Sequence, residues 1–266
     1  MRAEVGVFGG SGFYRFLGDM TEVQVDTPFG TPSQGLAVGQ VEGRSVAFLP
    51  RHGLRHSLAP HAINYRANLW ALRELGVTRV IGPCAAGSLQ PHVRPGDLVV
   101  CDQFVDRTWG REDSFHLEGR VAHVGAANPY CRELRALAGE TARSSGMTVH
   151  EEGTVVVVQG PRFSTTAESR WYSTQGWHLV NMTQYPEVVL ARELEMCYVN
   201  ISLITDYDVG LEGQAGVAPV SVAEVEKVFA SNNDRVRRLI LSLVPRLPAD
   251  RSCPCATAMR GAFIGR

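Results

Sequence analysis

The apolar run at residues 199–204 leads into Thr205-Asp206-Tyr207-Asp208, which carries the most pointed chemistry in the 266-residue chain. Alternate residues of an extended chain project to the same side, so Asp206 and Asp208 are expected as neighbours. Two carboxylates held close do not both ionise freely: one is pushed to keep a proton near neutral pH while the other remains an acceptor. Such a pair suits a departing heterocycle, which needs a proton at one ring nitrogen and an acceptor for an exocyclic amine. An isolated D-x-D more often caps a loop, so the assignment depends on what the other strand exits offer.

Three further exits carry donors or small residues. Gly9-Gly10-Ser11-Gly12 follows residues 5–8; its glycines admit backbone N–H groups to an anion and the serine adds a hydroxyl, although the loop lacks a Walker lysine and dinucleotide spacing. Pro50-Arg51-His52-Gly53 follows residues 46–49. There an arginine fork suits phosphate oxygens and a histidine can donate from either ring nitrogen. His56 lies four residues past His52, but Gly53 argues against the helix that an i, i+4 zinc pair requires, and no metal is expected. Pro83-Cys84-Ala85-Ala86-Gly87-Ser88 follows residues 80–81 and is small enough for a flat ligand to lie on the backbone, or for close packing alone.

The elements that must position these residues alternate. Short β-branched runs at residues 5–8, 46–49, 80–81, 97–100, 154–158, 179–180 and 199–204 are predicted strands. Helical spacing marks residues 60–75, 129–145, 167–176 and 186–196. A last helix is predicted from Ser221, where Ser221 and Glu224 form an S-x-x-E capping box, to a stop at Pro245. This pattern predicts an α/β fold with a central sheet covered by helices on both faces. One domain over residues 1–246 is expected, followed by a tail at 247–266 that packs near the active site or on a neighbouring subunit. With 44% hydrophobic and 20% charged residues the chain has the composition of a soluble globular protein. Lys and Arg total 26 against 27 Asp and Glu, so no overall field favours nucleic acid or acidic lipid. The uncharged stretch 80–93 is broken by glycines and prolines and too short to cross a bilayer. Six cysteines are too sparse for a disulfide scaffold, which points to a reducing cytoplasm.

Taken together, Gly9-Gly10-Ser11-Gly12, Asp26-Thr27-Pro28-Phe29-Gly30, Arg51-His52-Gly53, Gly87-Ser88-Leu89, Pro95-Gly96-Asp97, Asp102-Gln103-Phe104, Asp106-Arg107-Thr108, Gly160-Pro161-Arg162-Phe163-Ser164, Ala167-Glu168, Asn181-Met182-Thr183, Pro186-Glu187 and Thr205-Asp206-Tyr207-Asp208 occur in the order of a known family. From about residue 5 to 245 the chain resembles the 5'-methylthioadenosine phosphorylase branch of the trimeric purine nucleoside phosphorylases. The resemblance implies a single-domain phosphorylase/hydrolase-like fold with a central mixed sheet, a homotrimer, and phosphorolysis without metal or organic cofactor, inorganic phosphate being the co-substrate. It implies that Ser11, Arg51, His52 and Thr183 hold phosphate, assisted by the backbone around Ala85. Met182 would lie against the ribose and Phe163 would flank adenine, with Ser164 nearby. Asp206 would face N7 and the 6-amino group, supported by Asp208; these two are the catalytic pair. Val222 and Val225 would line the 5'-methylthio pocket, and His123 would reach across from an adjacent subunit.

Two departures stand out. Cys84 occupies a phosphate-site position where the family usually has threonine, and a thiol is the weaker donor. Cys253-Pro-Cys255 is expected to remain a pair of free thiols, since two cysteines without further ligands make no metal site. A 6-oxopurine nucleoside phosphorylase, acting on methylthioinosine or inosine, is the rival within the family. Such sites favour an amide where this chain has carboxylates. A dinucleotide-dependent oxidoreductase would need G-x-G-x-x-G spacing that Phe13-Tyr14 replaces, and a nucleoside-binding module without turnover would share most contacts with the enzyme.

Overall fold

The computed structural model describes residues 1–10, 19–117, 119–211 and 222–264; of residues 222–227 and 229–231 it describes the helical backbone but not the side chains. One large mixed sheet organises the chain. Its strands are β1 (Val5–Gly9), β2 (Thr21–Val23), β3 (Leu36–Val41), β4 (Arg44–Pro50), β5 (Arg79–Ser88), β6 (Leu98–Val99), β7 (Gln103–Arg107), β8 (Val149–His150), β9 (Thr154–Val158), β10 (Leu179–Asn181) and β11 (Cys197–Tyr207). The main path runs β2-β3-β4-β1-β5-β10-β9-β7, and β11 joins β5 and β6, with β8 beyond β6. The expected mixed α/β sheet is therefore present.

Strand alternation explains how the sheet is covered. In β1, Val5 and Val7 enter one apolar cluster while Phe8 enters the other, and in β5 Val80 and Ile81 divide the same way. One cluster takes in α1 (Tyr65–Glu74) and α4 (Gln184–Glu193). The other takes in α2 (Arg132–Ser144) and the end of α5 (Val222–Leu243). The remaining helix, α3 (Thr166–Thr174), opens with a full capping box: Thr165 accepts from the Glu168 amide and Glu168 accepts from the Thr165 amide.

The expected elements hold with shifted ends. Residues 60–62 form a 3-10 turn before α1, and α5 stops at Leu243, ahead of Pro245, in a 3-10 turn at Val244–Arg246. The start expected at Ser221 lies outside the described residues. The larger correction concerns 83–88, expected as a loop after a two-residue strand. These residues continue β5 to ten residues, because β11 pairs with them in parallel and β10 caps the end antiparallel. Small residues here serve close strand neighbours as well as a ligand. Residues 247–264 of the tail pack on the body of the same chain, where Leu247, Cys253 and Cys255 join the cluster of α2 and β11. Its end pairs with the loop at 121–123 through an Ala122–Phe263 bridge.

Candidate active site

The site forms along the last third of β5. Register pairs β11 with β5 in step from Cys197–Arg79 to Ile204–Ala86 and then shifts, so that Asp206 rather than Thr205 stands beside Gly87. Thr205 is the extra residue of a bulge, a device that re-aims the following side chains. Both carboxylates then converge as the alternation predicted. A methyl group on Gly87 would come within 3.0 Å of Asp206 Oδ1 and 3.4 Å of Asp208 Cβ, so both carboxylate side chains close on this strand position. Asp206 and Asp208 are buried. Burial raises the Asp206 pKa to about 6 although the Thr205 hydroxyl donates to Oδ2 at 2.6 Å, and the charge of Asp208 adds to the rise. Burial likewise raises Asp208, against the Ser169 hydroxyl and the Val209 amide, which favour its charged form. Asp208 Oδ2 and Ser164 Oγ are buried without a hydrogen bond among the described residues. This end of the cleft is thus short of partners.

The other end is anchored by an ion pair. Arg51, at the exit of β4, is buried with Nε and Nη2 donating to the two oxygens of Glu187 at 2.6 and 2.9 Å, and Nη1 donating to the Pro83 carbonyl at 2.8 Å. Burial opposes its charge, but the Glu187 carboxylate outweighs burial and the guanidinium stays fully ionised. Three of five N–H bonds are committed and two remain for an anion. Gly10 sits against this fork: a methyl there would meet Arg51 Nη1 at 3.2 Å and the Pro83 carbonyl at 3.3 Å. His52 stacks on His56 with centroids 4.2 Å apart, and its Nδ1 lies 2.9 Å from the Leu58 carbonyl. Burial, aided by the Arg51 and His56 charges, lowers its pKa to about 3 despite the Leu58 bond. The ring is therefore neutral with Nδ1–H donated to Leu58, which leaves Nε2 as an acceptor. That narrows its expected role from general phosphate donor to acceptor of a phosphate hydroxyl.

Thr183 arrives by a different route. β10 pairs antiparallel with β5, Val180 with Gly87, so the chain leaving Asn181 runs back along β5. Thr183 is the N-cap residue of α4, buried, with Oγ1 accepting from Asn181 Nδ2 at 3.4 Å and its own proton free to donate. Met182 precedes it, and a methyl on Gly160 would come within 2.7 Å of its sulfur. Met182 thus packs beside the 160–165 loop that carries Phe163 and Ser164. Phe163 is exposed on that loop. The Cys84 thiol contacts Ser202 Oγ at 3.3 Å and accepts from Asn200 Nδ2 at 3.4 Å in an interior polar network, while its backbone lies beside Gly10. Ala85 adjoins it on β5.

His123 is exposed, and its amide donates to the Ala262 carbonyl of the tail. No contact among the described residues of this protomer brings it to Arg51 or Asp206. Ser11 and the side chains of Val222 and Val225 lie outside the described residues. Sequence reasoning gave no role to Glu187, Thr205 or Arg111. Arg111 donates to the carbonyls of Gln159 and Met182 at 2.9 and 3.0 Å and so fastens the start of the 160–165 loop to Met182. Glu187 stood in a family motif, and its pairing with an arginine 136 residues away was the signal to look for. Arg111 gave none.

From Cys84 to Gly87 along β5 is about 10 Å, so cationic donors and a protonatable carboxyl pair face a nucleoside-sized span. Fold and site define an α/β protein built to hold an anion at one end of such a ligand and a proton donor at the other. Residues 4–245 match the Phosphorylase superfamily, and the chain belongs to it. It is 53% identical to a purine nucleoside phosphorylase of Streptomyces coelicolor, covering all of this chain and 97% of that protein. It is 48% identical to an S-methyl-5'-thioadenosine phosphorylase of Thermofilum pendens over 99% of both. Among solved structures it is similar to a methylthioadenosine phosphorylase from Schistosoma mansoni in complex with adenine, with TM-score 0.92 and 36% identity over 98% of this chain and 97% of that one.

Proposed function

We propose that the protein is a pentosyltransferase that carries out the reversible phosphorolysis of S-methyl-5'-thioadenosine to adenine and 5-methylthioribose 1-phosphate, within purine and methionine salvage. The observation that carries this reading is the buried Asp206–Asp208 pair at Gly87, with Asp206 raised to about 6. The names of the Thermofilum and Schistosoma relatives support the substrate. Phosphate held by Arg51, Thr183, His52 and backbone near Ala85, with Ser11 added, attacks C1' of the ribose. The C1'–N9 bond breaks with its electron pair passing to the purine, and the Asp206 carboxyl delivers a proton to N7. Asp208 accepts from the 6-amino group, and Asp206 is reprotonated by the proton that phosphate loses through solvent. The nucleophile is already charged, so the work of the protein is positioning and stabilisation of an oxocarbenium-like ribose, with no organic cofactor or metal in the reaction.

Met182 would lie on the ribose and Phe163 over the base beside Ser164, while Val222 and Val225 supply the apolar wall for the methylthio group. The enzyme works as a cytoplasmic homotrimer in which His123 of one subunit completes its neighbour's site; the exposure of His123 supports that placement. Among the described residues no helix is long and apolar enough to cross a membrane. A second reading, phosphorolysis of a 6-oxopurine nucleoside, is favoured by the name of the Streptomyces relative. Chromatography of products from S-methyl-5'-thioadenosine and methylthioinosine, each with and without phosphate, tests both. Adenine release only with phosphate is the expected outcome. Release without phosphate would make the protein a hydrolase, and preference for methylthioinosine would establish the second reading. Sedimentation that gave a fully active monomer would remove His123 from the site.

A further inference from the structure

Nine residues back along β11 from Asp206, about 30 Å away at the opposite end of the strand, lies a second cluster of reactive side chains. Cys197 opens β11, and the amide of Cys131 donates to the Tyr198 carbonyl at 2.9 Å, which brings the N-cap of α2 against the start of that strand. The tail supplies the other half. Arg79 Nη2 donates to the carbonyls of Pro248 and Asp250 at 2.7 and 3.1 Å, Arg251 Nη1 to the Glu195 carbonyl at 2.7 Å, and Ser252 to Glu133. These bonds lay Cys253-Pro254-Cys255 over the other two cysteines. All four sulfurs lie within 4.8 Å of one another, Cys197 and Cys253 at 3.3 Å, and all are held as free thiols. The two cysteines of the tail, insufficient as ligands on their own, have the remaining two delivered by α2 and β11.

We propose that Cys131, Cys197, Cys253 and Cys255 form a structural site for one zinc ion that fastens the carboxyl-terminal tail to the body of the subunit. Four cysteines with no open position are the ligand set of a closed structural zinc centre. With Zn–S bonds of about 2.3 Å the edges of such a tetrahedron measure about 3.8 Å, so the observed spacing needs small movements only. The buried position excludes water and exposed carboxylates as competing ligands. Binding converts four thiols and one Zn2+ to a dianionic tetrathiolate and releases their protons to solvent. The tail has reason to need such a fastening, because few of its side chains are buried: Leu247, Cys253, Cys255 and Ala262 are the apolar ones.

Elemental analysis of the full-length, untagged protein tests the proposal. The protein is purified in thiol reductant, equilibrated with Zn2+ and passed through gel filtration; about one zinc per chain is expected. Loading with Co2+ instead should give the absorption of a tetrahedral thiolate complex. Chelation should lower Tm while leaving phosphorolysis near its original rate at low temperature, since the cluster lies far from β5's ligand end. A folded Cys253→Ser, Cys255→Ser variant should lose the zinc. Wild type without zinc after this treatment overturns the proposal whatever the variant does. So does a folded double variant that retains one zinc, or non-reduced peptide mapping that finds the four cysteines joined as disulfides in the reductant-purified protein.

Discussion

The two ends of the cleft satisfy their charges in opposite ways. At the proposed phosphate end, Arg51 and Glu187 are both buried, bonded twice to each other, and further tied to Pro83 and to Tyr198, whose hydroxyl donates to Glu187 at 2.7 Å. At the base end, Asp206 and Asp208 are buried with like charge, a lone hydroxyl on Asp206 and an unbonded oxygen on Asp208. The first arrangement spends its polar groups on holding a cation in place. The second keeps an electrostatic debt that a proton and a purine can settle, which is what differential stabilisation of a transition state requires. Stability is therefore expected to reside at one end and reactivity at the other.

Breaking the paired end should have the largest effect on folding. Glu187→Ala leaves a buried guanidinium without its partner and should cost about 3–5 kcal/mol in denaturant unfolding. In any folded fraction the KM for phosphate should rise more than that for nucleoside. Equal loss at both substrates would mean that Glu187 does not position Arg51.

The unpaired end should behave in the reverse sense. Asp206→Asn should lower kcat on the 6-amino nucleoside by about 10²–10⁴-fold, the usual range for a positioned acid. It should also stabilise the protein. Because the folded pKa, about 6, exceeds the ordinary value of 3.8, the unfolded chain ionises first as pH rises, and wild-type stability falls between about pH 4 and 6. Asparagine escapes that loss, so the variant's advantage should be nil below pH 4 and reach at most about 3 kcal/mol above pH 6. Melting curves at pH 4 and 8 check this; an advantage of the same size at both would show that the carboxylate charge is not its source.

A sharper form of the comparison uses the free enzyme. If proton delivery from Asp206 limits turnover, kcat/KM for nucleoside should decline above about pH 6 at saturating phosphate. A flat profile through pH 8 would assign the proton to another donor. The smallest effect is expected at the loop that joins the ends. Thr165→Ala removes the N-cap of α3, should cost about 1 kcal/mol of stability, and should raise the nucleoside KM with kcat nearly kept, as Phe163 and Ser164 lose their anchor.

Much of this was legible in the chain before folding. Alternation placed Asp206 beside Asp208, strand composition placed Arg51 at an exit, and helical spacing found all five helices with ends a few residues off. What escaped were contacts over long sequence separation. Glu187 lies 136 residues from Arg51, and Cys131 lies more than a hundred from Cys253. Cys84 looked like a donor for phosphate because a strand residue's face depends on its neighbours, and here Asn200 and Ser202 claim the thiol. The length of β5 was missed because Gly82, Pro83 and Gly87 weaken a strand in isolation, whereas β1, β10 and β11 pair with it from both sides.

The sequence by itself determined the local geometry and the family: periodicity, caps and motif order follow from nearest-neighbour sterics and hydrogen bonding. Only the tertiary structure decided which polar groups are satisfied and which are left wanting. That division comes from burial and from partners brought together by the sheet, and it separates a carboxyl that keeps its proton from a carboxylate that merely holds an arginine.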